Sequence, residues 1–155
     1  MSLPWAEEVM LLNDAQIALN DLDVNCQDAA DHYEDAAGMV EDEAVATLFR
    51  ELAARRRDAA EELGEHIRRM GGMPRNADGD RETVQRLLAR LKANLSADKR
   101  VALLTEREHV EEQLLAMAET ALQQDVPDDT KRYLRHLKRQ FGDTQRRLAE
   151  AKESQ

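Results

Sequence analysis

Leu12, Ala15, Leu19, Leu22, Cys26, Ala29, Tyr33, Ala36 and Val40 follow one another at spacings of three and four, with no polar residue in the series. A seam of that length on a 3.6-residue repeat belongs to one long helix with one side buried against other helices. The chain must therefore be a helical bundle. Its aromatics are limited to Trp5, Tyr33, Phe49, Tyr133 and Phe141, while Ala, Leu, Glu, Asp and Arg dominate, which is helix-forming material with little tendency to make a sheet.

The punctuation places four helices. Pro4 is acceptable at a helix start, and the seam then predicts a first helix over about 5–40. After an acidic turn, Val45, Leu48 or Phe49, Leu52, Arg56, Ala59, Leu63, Ile67 and Met70 form the inward stripe of a second, over 43–70, stopped by Gly71-Gly72 and Pro74. Val84, Leu87, Leu88, Leu91 and Leu95 open a third, over 81–124, which Ser96 and Asp98 would split near residue 96 if they act as caps. Pro127, with Asp128 and Asp129 behind it, opens a fourth over 127–152, with Leu134, Leu137, Phe141, Thr144 and Leu148 inward. The expectation is one all-α domain over 1–155, a ferritin-like antiparallel four-helix bundle. Its halves also echo each other: placing Leu63 over Leu148 sets Asp58 on Asp143 and Leu52 on Leu137, as a duplicated helical hairpin would.

Charge narrows the function classes. A net charge of -10 disfavours binding to a phosphate backbone, so no nucleic-acid partner is expected. No apolar run approaches the ~20 residues of a membrane span, and nothing resembles a signal peptide, so a cytoplasmic protein without membrane association is the default. The first helix is acidic and the last is basic, which reads as complementary solvated faces of neighbouring helices or as a docking surface for an unknown protein partner. Trp5, Val9 and Met10 sit where helix 1 overhangs its neighbours, which points to a homo-oligomer. Cys26, the lone cysteine, lies on the apolar seam and reads as a buried filler.

Several stretches resemble a known family. Leu19-Asn20-Asp21-Leu22 with Cys26, Asp28, Tyr33 and Ala36-Ala37 is similar to the first helix of a bacterial family of uncharacterised ferritin-like four-helix-bundle proteins. Asp42-Glu43, Leu48-Phe49, Leu52-Ala53, Arg56, Glu62-Leu63 and Arg68-Arg69-Met70-Gly71-Gly72 resemble its second helix, and Ala102 to Leu122 with the Val126-Pro127 turn resemble a later part. The resemblance implies the fold; it implies no activity, beyond a family analogy to stress physiology.

Ferritin-like bundles that handle iron take a Glu from each of two helices and Glu-x-x-His from each of the other two. Here helix 1 offers Ala30 beside Asp31, helix 2 offers Arg55, Arg56, Asp58 and Ala59, helix 4 offers Gln140, Phe141, Asp143 and Thr144, neither of these last two helices holds Glu-x-x-His in any register, and Glu111 alone occupies a ligand position. Arg56 and Arg107 bring positive charge to the same level. We therefore expect no cofactor, no catalytic residues, and a buried polar layer of Arg56, Arg107 and Glu111 in which Glu111 pairs with one of the two arginines. The alternative is an unconventional metal site drawn from Asp28, Asp31, Glu106, His109, Glu111 and Glu112, with Glu106-x-x-His109 its nearest motif. Glu62/His66 and Asp28/His32 repeat a spacing that either clips a metal or stabilises a helix. His136-Leu137-Lys138 resembles a phosphotransfer histidine, but Arg139 and Gln140 follow where Lys and Gly would be wanted. The reading that remains is a non-catalytic structural or protein-interaction bundle.

Overall fold

The computed structural model describes residues 4–77, 86, 89 and 98–154, with side chains from residue 14 onward. Among these residues there are four helices and no strand: α1 (Pro4–Ala37), α2 (Glu43–Arg69), α3 (Lys99–Leu122) and α4 (Asp128–Glu153). The stripe expected over 81–97 and the side chains of Trp5, Val9 and Met10 lie outside the described residues; of the break expected near residue 96, the structure describes Asp98, which is extended at φ -60° and ψ 121°, with α3 starting at Lys99.

Each end has a local cause. Helix α1 stops at Ala37, short of Val40, because Gly38 follows and the chain turns there, with the Met39 amide donating to Ala36 O at 3.0 Å. Asp42 caps α2 by accepting from the amides of Ala44 and Val45 at 3.0 and 3.3 Å. Gly71, at φ 86°, ends α2, and the Gly72 amide reaches back to Ile67 O at 2.9 Å, closing a Schellman turn. Asp98 caps α3 through the Arg100 amide.

The contacts give the directions. At one end Arg100, at the start of α3, pairs with Asp42, before α2 (3.4 Å). At the other, Arg69, at the end of α2, pairs with Asp129, at the start of α4 (3.0 Å). Helices α2 and α3 therefore run the same way, and the chain crosses from one end of the bundle to the other between them. Helix α1 packs on α2 and α3, α4 packs on α3 and α2, and α1 lies diagonally across from α4. The acidic α1 and basic α4 are thus not neighbours, contrary to the complementary-faces reading: Arg147 and Lys138 of α4 pair instead with Glu51 of α2 and Glu119 of α3, and Glu34 of α1 pairs with Arg57 of α2.

The halves coincide at one offset throughout. Adding 85 to each number carries the end of α1, Ala37, onto Leu122 and the start of α2, Glu43, onto Asp128. It also carries buried Leu19, Leu22, Cys26 and Ala36 onto buried Leu104, Arg107, Glu111 and Ala121, and Leu52, Arg56 and Leu63 onto Leu137, Phe141 and Leu148. Between two apolar clusters, one around Leu19, Leu63, Leu114 and Leu134 and one around Phe49, Leu52, Leu103 and Leu148, stands a layer that is not apolar.

Candidate functional site

Each helix contributes to that layer through its inward row. Tyr33 comes from α1, Arg56 from α2, Arg107 and Glu111, one turn apart, from α3, and Thr144 from α4. Arg56, Arg107, Glu111 and Tyr33 are all 0% exposed. Such burial of charge is tolerable only with partners at hydrogen-bond distance.

Glu111 has them. Its Oε1 accepts from Tyr33 Oη at 2.8 Å and from Arg56 Nε at 2.9 Å, and lies 2.6 Å from Arg56 Nη2. The same Nη2 donates to Thr144 Oγ1 at 2.9 Å, so one guanidinium joins α2 to both α3 and α4. The face of that guanidinium rests on the Phe141 ring, 4.7 Å from its centroid. Arg107 turns elsewhere, although it shares a helix face with Glu111. Its Nε and Nη2 take the two oxygens of Glu106 at 2.6 and 2.8 Å, and Nη2 reaches His32 Nδ1 at 3.3 Å, which must accept because a guanidinium only donates. Arg107 also lies over the Tyr33 ring at 5.1 Å. Two cations thus meet two carboxylates, and Tyr33 touches both halves.

The electrostatics follow from this packing. Burial pushes the Tyr33 hydroxyl well above its usual range and the charge of Glu111 adds to it, so the phenol stays a donor. Burial alone would lower Arg56, but the charge and hydrogen bonds of Glu111 outweigh it and hold the guanidinium above its ordinary value. The Cys26 thiol is pushed up to about 12 by burial, with Arg56 opposing and Glu111 reinforcing the rise. A protonated, sealed thiol is no nucleophile.

Under the 85-residue offset the counterpart of Glu111 on α1 is Cys26, not Ala30, which corrects the position assigned from sequence; Ala30 is buried one turn further on. The di-iron donor set is therefore Cys26 and Glu111 with Arg56/Ala59 and Phe141/Thr144, of which one residue is a carboxylate already engaged by a guanidinium and a phenol. Among the described residues no group of three or more His, Cys, Asp or Glu is placed to hold a metal ion.

The other candidates are scattered. Asp28 and Asp31 are half-buried on α1, with Asp31 at 3.5 Å from Arg57. Glu106 is engaged by Arg107, while His109 and Glu112 are exposed and 4.0 Å apart. His136 is exposed beside Gln140. His66 is buried: Nδ1 lies 2.7 Å from Thr130 Oγ1, the ring stacks on Tyr133 at 5.3 Å, and Nε2 is 3.6 Å from Glu62. Sequence reasoning missed it because His66 lies next to the Leu63 and Ile67 row rather than on it. Thr130, a hydroxyl in the first turn after Pro127, was the available signal.

Residues 14–124 match the family of a domain of unknown function (DUF2383), and the chain belongs to that family. The match takes in Tyr33, Arg56, Arg107 and Glu111. No curated protein and no solved structure matches the chain.

Proposed function

We propose that this chain is a non-catalytic, ferritin-like helical bundle that serves as a structural or protein-interaction module, its partners being copies of itself or another protein. One observation carries the reading. The Arg56–Glu111 pair, 2.6 Å apart and fully buried, occupies the centre where a bundle of this connectivity would hold its chemistry. The single long crossing between α2 and α3 is the connection that ferritin-like bundles have, and it supports that classification. Nothing in the layer combines solvent access with an ionisable group free to accept or release a proton.

What the layer does is hold register. An ion pair tied to Tyr33 and Thr144 joins all four helices at one height, and sliding any of them by a turn, ~5.4 Å, would strand a buried charge. A rigid bundle with its chemistry inside and its variety outside is a scaffold for surfaces. No described helix is long and apolar enough to cross a membrane.

The test is metal analysis of protein purified without chelator, followed by titration with ferrous and with zinc ions. Absence of stoichiometric tight binding is expected. Stoichiometric binding that Glu111→Ala abolishes would replace this reading with that of an unconventional metal protein.

A further inference from the structure

Helices α2 and α4 lie antiparallel, and two ion pairs set their relative height: Arg69 with Asp129 near one end (3.0 Å) and Glu51 with Arg147 towards the other (2.6 Å). Counting inward from both, Arg55 stands level with Asp143, Asp58 beside Arg139, Glu62 level with His136, and Glu65 beside Arg132. On each helix these residues recur at three and four, so each set forms one outward stripe. A groove of about 260 Å³ separates the stripes, with Asp58, Glu62 and His136 on its walls. Asp58, Arg132 and Arg139 are exposed and have no ion-pair partner among the described residues.

The geometry points to a second copy of this chain as the occupant of the α2–α4 face, docked about a two-fold axis parallel to the bundle. That operation lays α2 of one copy on α4 of the other without changing height. Every level pair is then opposite in sign or polar: Arg55 on Asp143, Asp58 on Arg139, Glu62 on His136, Glu65 on Arg132, each made twice. The face is self-complementary, as a two-fold interface requires. Its size also fits. Helices of 27 and 26 residues are ~40 Å long, and side by side they offer about 800 Å² per partner, the area of a standard interface. The inference rests on the interaction-module reading and names the partner.

Two copies that each carry -10 repel at long range, so the test belongs at about 0.15 M salt, where the ~8 Å Debye length screens net charge but not contact pairs. Sedimentation velocity of the full chain over a concentration series should show a monomer–dimer equilibrium. Arg132→Glu/Arg139→Glu should weaken the dimer by about tenfold or more, and so should Asp58→Lys/Glu65→Lys. Mixing the two variants should restore dimerisation, because each then presents what the other lacks. All four substitutions are on exposed positions, and an unchanged helical circular dichroism signal confirms the fold in each. A wild type that stays monomeric, variants that still dimerise, or a mixture that fails to recover would each overturn the proposal. None of these results bears on metal binding, so the interaction-module reading stands or falls separately.

Discussion

Tyr33 Oη and Arg56 Nε converge on a single oxygen of Glu111, at 2.8 and 2.9 Å, from opposite helices of the first hairpin. That carboxylate is the acceptor the two residues share, while Arg107 of the same layer turns to Glu106 and His32. Removing either side of it has unequal consequences, because what is left behind differs in charge.

Arg56→Met leaves Glu111 buried with a phenol as its remaining strong donor, and should lower unfolding stability by about 3–5 kcal/mol. Arg56→Met with Glu111→Gln should recover most of the loss, since the amide oxygen still accepts from Tyr33 and no charge is stranded. Buried Nη1 of Arg56 finds no acceptor among the described residues, so the native layer is not fully satisfied and an apolar replacement competes well. Urea unfolding midpoints of the three proteins decide the matter; a single variant as stable as wild type would show that the layer contributes nothing to stability.

Cys26, with its thiol at about 12 and no exposure, should not react with a thiol reagent in the folded protein at pH 8. Labelling should instead follow the rate and denaturant dependence of unfolding. Rapid labelling in native buffer would mean that the seam opens locally.

His66 is held below its usual 6.5, first by burial and then by the charge of Arg69, with Asp129 and Glu62 pulling the other way. As pH falls through 6.5 the unfolded chain takes up a proton that the folded chain resists, so stability should fall as the pH drops below that value. His66→Asn should flatten this part of the profile. Asp23, raised by burial, acts in the opposite sense in both proteins, and the difference between the two curves isolates the imidazole.

Two glycines should respond with opposite signs. Gly71 has φ 86°, and no heavy atom within 4 Å would meet an added Cβ, so Gly71→Ala is strained by backbone alone and should cost about 1 kcal/mol. Gly142 lies inside α4, with open space at its Cβ and ordinary helical φ, and Gly142→Ala should stabilise by about 0.8–1 kcal/mol. Thermal unfolding measures both.

The helices were legible because the stripes were long and their stops explicit. Gly71-Gly72, Asp42 and Pro127 act locally, and the three- and four-residue spacing needs no tertiary information. The buried polar layer was partly legible, since Arg56, Arg107 and Glu111 interrupt otherwise apolar rows. Which arginine Glu111 meets was not, because Arg107 is nearer in sequence and only the packing shows it turned towards Glu106 and His32. The burial of His66 and the diagonal placement of α1 and α4 likewise depend on which helices become neighbours, and that order is set by long-range contacts with no local signature.

Two identical hairpins meeting about a two-fold axis would make every central contact twice, so a pair such as Arg56–Glu111 would be buried in duplicate. Here Arg56 meets Phe141, and Glu111 has a thiol as its counterpart. The two halves belong to one chain and can differ at these positions, so the centre buries a single Arg–Glu pair where a symmetric layer would bury two.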